Sequence, residues 1–313
     1  MKQLGILLAL LLGVSTFAQQ PLELTTAQRS TLDAYQDTIA MQSFLVLRDT
    51  SMEMRSAATR NLIKTLVRAL KTENSFAYKF PLVKNISIQY PADSSFRVFT
   101  WQLFVDDNHY RYFGAIQKRS ADLELYGLSD RSADLLYPET TPTGAKDWYG
   151  MLIYNIHQFD TPTGRRYLLF GFDGYEFFDK RKVVDVLTFG RDRRPRFGAY
   201  PTFQQLDPET NEPTDTLHRL VLDYNAEASI RVNFDPVTGA LIHDFLKPTG
   251  NPYSGKLSGL PDGTFVGYFP TESGVWTQQR RMFNTTVDEP PRDFPVLGTE
   301  GTRERRDLFG RKN

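Results

Sequence analysis

The stretch Phe96-Arg97-Val98-Phe99-Thr100-Trp101-Gln102-Leu103-Phe104-Val105 reads as a β-strand with apolar residues on both faces. Phe96, Val98 and Phe104 fall on one side, and Phe99, Trp101, Leu103 and Val105 on the other. A strand with one face in water would carry polar residues at alternate positions. This one therefore belongs to a sheet covered on both sides. Either the sheet closes or curves strongly on itself, or helices lie on its back.

Outward from this strand, the two-residue period and Gly, Pro, Asp and Asn punctuation extend from Phe76 to Phe283. Candidate strands lie near 86–90, 96–105, 109–118, 149–158, 166–172, 182–189, 217–224, 228–234, 240–246, 264–269 and 275–282. Asp235-Pro236-Val237-Thr238-Gly239 and Asp160-Thr161-Pro162-Thr163-Gly164 carry the chemistry of tight turns, with Pro fixing φ and Gly supplying a positive one. No segment between the strands is long and amphipathic enough for a crossover helix, which argues against a parallel α/β sheet. Ala228, Ile230, Val232 and Phe234 alternate with Ser229, Arg231 and Asn233, so that strand shows one face to water or a polar interior.

Upstream, Thr25 to about Thr72 reads as two helices. Thr25 with Gln28 and Thr50 with Glu53 have capping-box spacing, and Met54, Ala58, Leu62, Leu66 and Leu70 form one apolar stripe. The fold class is α+β, mostly β: an N-terminal helical hairpin (19–75) followed by a large antiparallel meander (76–283). The sheet is expected to be curved or barrel-like, with a sandwich or propeller as alternatives. Residues 1–18, with Lys2, the apolar run Leu4 to Val14 and Ala18, have the pattern of a secretory signal peptide. Residues 284–313 carry Pro290-Pro291, Pro295 and Arg303-Glu304-Arg305-Arg306-Asp307 without periodicity, and are expected to be a disordered tail.

The chain has 313 residues with 37 Lys+Arg against 37 Asp+Glu, so no net field draws it to nucleic acid. With no cysteine it has neither disulfides nor thiolate chemistry. There is no Walker loop, dinucleotide fingerprint or G-x-S-x-G elbow, no local His pair for a metal, and nothing that implies a cofactor. Asp185 and Asp223 each sit inside an apolar strand and would form a general acid/base pair if they faced one cleft, as in glycoside hydrolysis. Pairing of each with an arginine, such as Arg97 or Arg231, is the structural reading and is preferred. Asp173-Gly174-Tyr175-Glu176 with Asp179 has calcium-ligand residue types without EF-hand spacing, and Asp-Gly reads as a turn. Between Arg165 and Arg196, nine basic residues face five acidic ones, a composition suited to a phosphate or acidic glycan or simply to solvated loop ends. Arg97, Trp101, Asp173, Lys182 and Arg231 are the candidate ligand-binding residues, although the position of Trp101 in its strand favours a core role.

Tyr90-Pro91-Ala92-Asp93, Phe96 to Gln102 and Tyr112-Phe113-Gly114-Ala115-Ile116-Gln117 resemble segments of a group of exported β-rich proteins from Gram-negative bacteria that has no assigned activity. Tyr167 to Gly174, Lys182 to Leu187 and Asp244-Phe245-Leu246-Lys247-Pro248 fit the same likeness. The resemblance implies a periplasmic or secreted, non-enzymatic protein. The expected role is binding of an envelope protein or glycan, or a structural one, with an envelope carbohydrate hydrolase as the alternative. No membrane span is expected in the mature chain.

Overall fold

The computed structural model describes residues 22–207 and 209–282, with side chains to 279; the expected signal peptide and C-terminal tail lie outside the described residues. Thr25 opens helix α1 (Thr26–Arg48) with a complete capping box, its hydroxyl accepting from the Gln28 amide while the Gln28 side chain accepts from the Thr25 amide. Helix α2 (Met52–Leu70) is capped by Ser51, one residue later than the Thr50–Glu53 spacing suggests. The shift has a local cause. Asp49 accepts from the Ser51 amide at 2.9 Å, and this short turn frees the Ser51 hydroxyl to accept from Met54 N. Arg55, buried, donates to the Asp49 and Thr50 carbonyls and to Phe104 O, so one side chain ties the interhelical turn to the sheet. The expected stripe Ala58, Leu62, Leu66 and Leu70 is buried, whereas Met54 is exposed. No described helix is long and apolar enough to cross a membrane.

Four strands form a first antiparallel sheet in chain order: β1 (Ser87–Gln89), β2 (Phe96–Asp106), β3 (His109–Lys118) and β4 (Leu125–Ser129). β2 is the strand whose two apolar faces set the problem, and each face has its own partner. Phe99, Trp101 and Leu103 pack with Leu32, Ile39, Val46, Leu62 and Leu66 of the hairpin. Phe96 and Val98 pack with Met151 and with Ile153, Leu169, Val183 and Leu187 of a second sheet. The helices thus cover one side of the small sheet and the large sheet covers the other.

The second sheet contains β5 (Thr143–Gly144), β6 (Leu152–Thr161), β7 (Gly164–Asp173), β8 (Asp179–Phe189), β9 (Pro195–Phe197), β10 (Phe203–Leu206), β11 (Pro213–Leu217), β12 (Leu220–Asn225), β13 (Val232–Asp235), β14 (Ala240–Gly250), β15 (Leu257–Pro270) and β16 (Trp276–Met282). Its main path runs β11-β10-β16-β15-β12-β8-β7-β6, with β13 on β14, β14 on β15, and β9 on β8. The sheet curls into a half-barrel. Leu168, Phe170, Val184 and Val186 consequently meet Phe203, Tyr224, Leu241, Val266, Tyr268 and Trp276 across a separate core. The opposite faces of β7 and β8 pack on the small sheet through Leu169, Val183 and Leu187, so these strands are apolar on both sides for the same reason as β2.

Two features depart from a simple meander. The pairings β10–β16 and β12–β15 are parallel. The strand expected over 217–224 is broken at His218 and Arg219, whose amides both turn aside to Glu139 O, at 2.8 and 3.0 Å. A carbonyl from a distant loop takes the hydrogen bonds that would have continued the ladder.

Candidate functional site

The two strand carboxylates do not form a catalytic pair. Asp185 is fully buried and bonded to the equally buried Arg219 at 2.7 Å, with Arg219 also donating to Pro138 O and Thr143 Oγ1. Asp223 is about half exposed and is held by Arg181 at 2.5 Å. In the β8–β12 register Asp223 stands opposite Arg181, four residues along β8 from Asp185, a separation of about 13 Å at ordinary strand rise. The partners are therefore Arg219 and Arg181, not Arg97 or Arg231.

Three of the residues singled out from sequence serve the interior. Arg97 is fully buried and donates to Gln117 Oε1 at 2.8 Å, to Ser75 O at 3.0 Å and to Tyr78 O, clamping the segment after α2 onto β2. Trp101 is buried and stacked on Phe113. Asp173, also buried, accepts from the Tyr149 hydroxyl at 3.0 Å and the Tyr175 amide at 2.9 Å. Lys182 is half-buried over the Tyr154 ring, and Arg231 is exposed on the β13 side of the molecule. The structure does not bring these five residues to one place. Among the described residues no group of three or more His, Asp or Glu side chains could hold a metal ion.

What does converge is a set of three connections at one end of both sheets. The β2–β3 turn brings Asp107 and Asn108, the β7–β8 connection brings Glu176, Phe177 and Phe178, and the β14–β15 turn brings Tyr253 and Ser254. Together they line a cavity of about 420 Å³. The rings are on the surface, Phe177 51%, Phe178 37% and Tyr253 57% exposed. They are also ordered against one another: Phe178 stacks on Tyr253 with centroids 5.0 Å apart and planes 15° apart, and Phe177 meets Phe178 edge-on at 4.9 Å. Exposed rings held in a contiguous group beside polar side chains make this end the candidate site.

The supports below these rings explain why exposed aromatics stay in place. Buried Asn251 donates to Phe178 O at 3.0 Å and to Asp179 Oδ1 at 2.9 Å, and its own oxygen accepts from the Tyr253 amide at 3.0 Å. One amide side chain thus fixes both stacking partners. Ala226 N donates to the same Phe178 carbonyl at 2.9 Å. Gly255 takes the positive φ that closes this turn, and Tyr175, a non-glycine residue at φ 44°, takes another in the β7–β8 connection. Lys256 grips Glu176 at 2.6 Å, linking the two turns across the cavity edge. Asn108 accepts from the Phe177 amide at 3.3 Å, bringing in the small sheet.

Electrostatically the site is polar with a carboxylate rim. Asp107 makes no ion pair among the described residues, while Glu176 keeps its charge matched by Lys256. Beneath it, burial pushes the Asp173 carboxyl above its ordinary range, opposed by the Tyr175 amide, the Tyr149 hydroxyl and Arg181. Burial and the neighbouring Asp173 push the Tyr149 and Tyr112 hydroxyls well above theirs, keeping both as neutral donors. The calcium-like residues have other partners: Asp173 takes Tyr149, Asp179 takes Asn251 and Glu176 takes Lys256.

Phe177 and Phe178 fall inside the basic stretch between Arg165 and Arg196, and composition does not single them out, nor Asn108, Asn251 and Tyr253. The available local signal was Asn251-Pro252-Tyr253-Ser254-Gly255, a turn with an aromatic at its tip. No known family, curated protein or solved structure matches the chain.

Proposed function

We propose that the protein is an exported, non-enzymatic binding protein of the bacterial envelope that holds a glycan on the Phe177–Phe178–Tyr253 surface. The observation that carries this reading is the parallel stack of Phe178 and Tyr253, exposed yet anchored from beneath by Asn251. A sugar ring presents a face of C–H bonds to the negative face of an aromatic ring and turns its hydroxyls outward. Asp107, Asn108 and Ser254 stand where such hydroxyls would meet acceptors and donors. The carboxylate rim favours neutral or amino sugars over acidic ones. Separated, arginine-paired Asp185 and Asp223 offer no acid/base couple to cleave the sugar, so the reading is binding rather than hydrolysis.

Titration of the mature chain with a panel of neutral, amino and acidic oligosaccharides tests it. Neutral or amino-sugar oligomers should bind, and Tyr253→Ala should weaken them at least about tenfold, the scale of one aromatic contact, with unchanged thermal unfolding. Binding by none of the panel, or equal binding by the variant, would overturn the reading.

A further inference from the structure

We propose a second binding site, for the oxyanion of a small phosphorylated or carboxylated molecule, built around Arg166 at the opposite end of β7. This strand has ten residues, Gly164 to Asp173, and so spans about 30 Å from the new site to the aromatic one. The inference does not depend on the glycan reading.

The cavity, about 270 Å³, lies between the β6–β7 turn and the β8–β9 and β9–β10 connections. Arg165, Arg166 and Arg196 line it together with Thr163, Thr188 and Tyr200, and no carboxylate does. Two of the three cations are already matched. Arg165 pairs with Asp160 at 2.8 Å and Asp93 at 3.0 Å, and Arg196 reaches Asp192 at 3.6 Å.

Arg166 is different. It is 7% exposed and makes no ion pair among the described residues. Its guanidinium lies 4.1 Å from the centre of the Tyr200 ring and spends one donor, Nη2, on the Thr163 hydroxyl at 3.0 Å. Nε and Nη1 donate to no described group, although a guanidinium carries five N–H donors. The guanidinium lines the cavity with these donors unspent, and an oxyanion there would use them and match the charge. Burial lowers the Arg166 pKa, in keeping with a cation that lacks a counter-charge. The Tyr200 ring, partly exposed, gives one wall of the cavity an apolar surface for the organic part of the ligand. A volume just under the roughly 300 Å³ of the smallest drug-sized pockets suits a single anion-bearing unit rather than a polymer.

Isothermal titration of the mature chain at low ionic strength with inorganic phosphate, a hexose monophosphate and a hexuronate tests the site and separates the sources of the anion. At least one of the three should bind, with an affinity that falls as sodium chloride is added. Stronger binding by the hexose monophosphate or hexuronate than by inorganic phosphate is the expected order, because only these fill the wall beside Tyr200. Arg166→Gln should abolish binding. Arg196→Gln, at a largely exposed side chain whose replacement should leave the fold intact, should weaken it at least about tenfold, and decides the matter if the first variant does not fold. Tyr253→Ala should leave it unchanged. No heat from any of the three anions, or the same affinity in Arg196→Gln as in the parent, would overturn the proposal.

Discussion

Asp185 and Arg219 show how a polar pair can be buried without being a site. Both are fully excluded from solvent, and Arg219 satisfies two further groups, Pro138 O in the loop before β5 and Thr143 Oγ1 in β5. Arg219→Met should cost about 3 to 5 kcal/mol in urea unfolding because it strands a buried carboxylate, and adding Asp185→Leu should recover most of the loss. If the double variant is no more stable than the single, the carboxylate is not what the arginine neutralises. Asp173 has the opposite sense of pH dependence from a salt-bridged acid. Burial raises its pKa in the native state, so folding takes up a proton. Its stabilising contribution is full below the ordinary carboxylate range and lost as pH rises through the native value. Asp173→Asn should accordingly flatten the decline in urea midpoint as pH rises above the ordinary carboxylate range, relative to the parent; an identical pH profile would contradict this. Asp185 and Asp223 were visible in the sequence as acids in apolar strands. Their partners were not, because Arg219 lies 34 residues from Asp185 at a break that the apolar pattern of 217–224 conceals.

At the scale of elements, most long strands were legible, β14 and β15 only over their 240–246 and 264–269 portions, and the shortest were not. β2, β3, β6, β7 and β8 each hold ten or eleven residues, enough for the alternation to stand out. β5 and β9 have two and three residues and exist only because longer neighbours offer them a ladder. The two-faced composition of β2 correctly required cover on both sides, but sequence alone left helices and curvature as alternatives, and this protein uses helices on one face and the large sheet on the other. Trp101 sits in the helix-facing layer, so Trp101→Ala should cost about 3 to 5 kcal/mol, seen as a lower urea midpoint. Unchanged stability would mean that the hairpin does not depend on this contact. Closure of the half-barrel rests on a narrower point: β12 meets β15 through the single pair Tyr224 and Gly259. A Cβ at Gly259 would lie 2.7 Å from Asp223 O. Because the obstacle is backbone, Gly259→Ala should destabilise by about 1 to 3 kcal/mol, and a neutral effect would show that this bridge is dispensable.

Across the whole molecule, two sheets and a helical hairpin stack so that three connections far apart in sequence meet at one end, while the arginine-lined cavity lies at the other. Asp107, Phe178 and Tyr253 share no local motif. Only the alignment of β2–β3 with β7–β8, and of β7–β8 with β14–β15, brings them together, which is why the basic and aromatic stretches were readable as composition but not as sites. On the proposed reading, the ordered, exposed aromatic end holds sugar rings by their C–H faces. Saturation-transfer NMR tests it most directly: the protein is irradiated in its aromatic proton region, with a neutral or amino-sugar oligosaccharide in excess. The account predicts transfer concentrated on the C–H protons of one ring face, and its loss in Phe178→Ala/Tyr253→Ala while the unfolding temperature stays within about 2 °C of the parent, as expected for surface substitutions. Transfer that persists in the folded double variant, or that never appears with any such sugar, would contradict it.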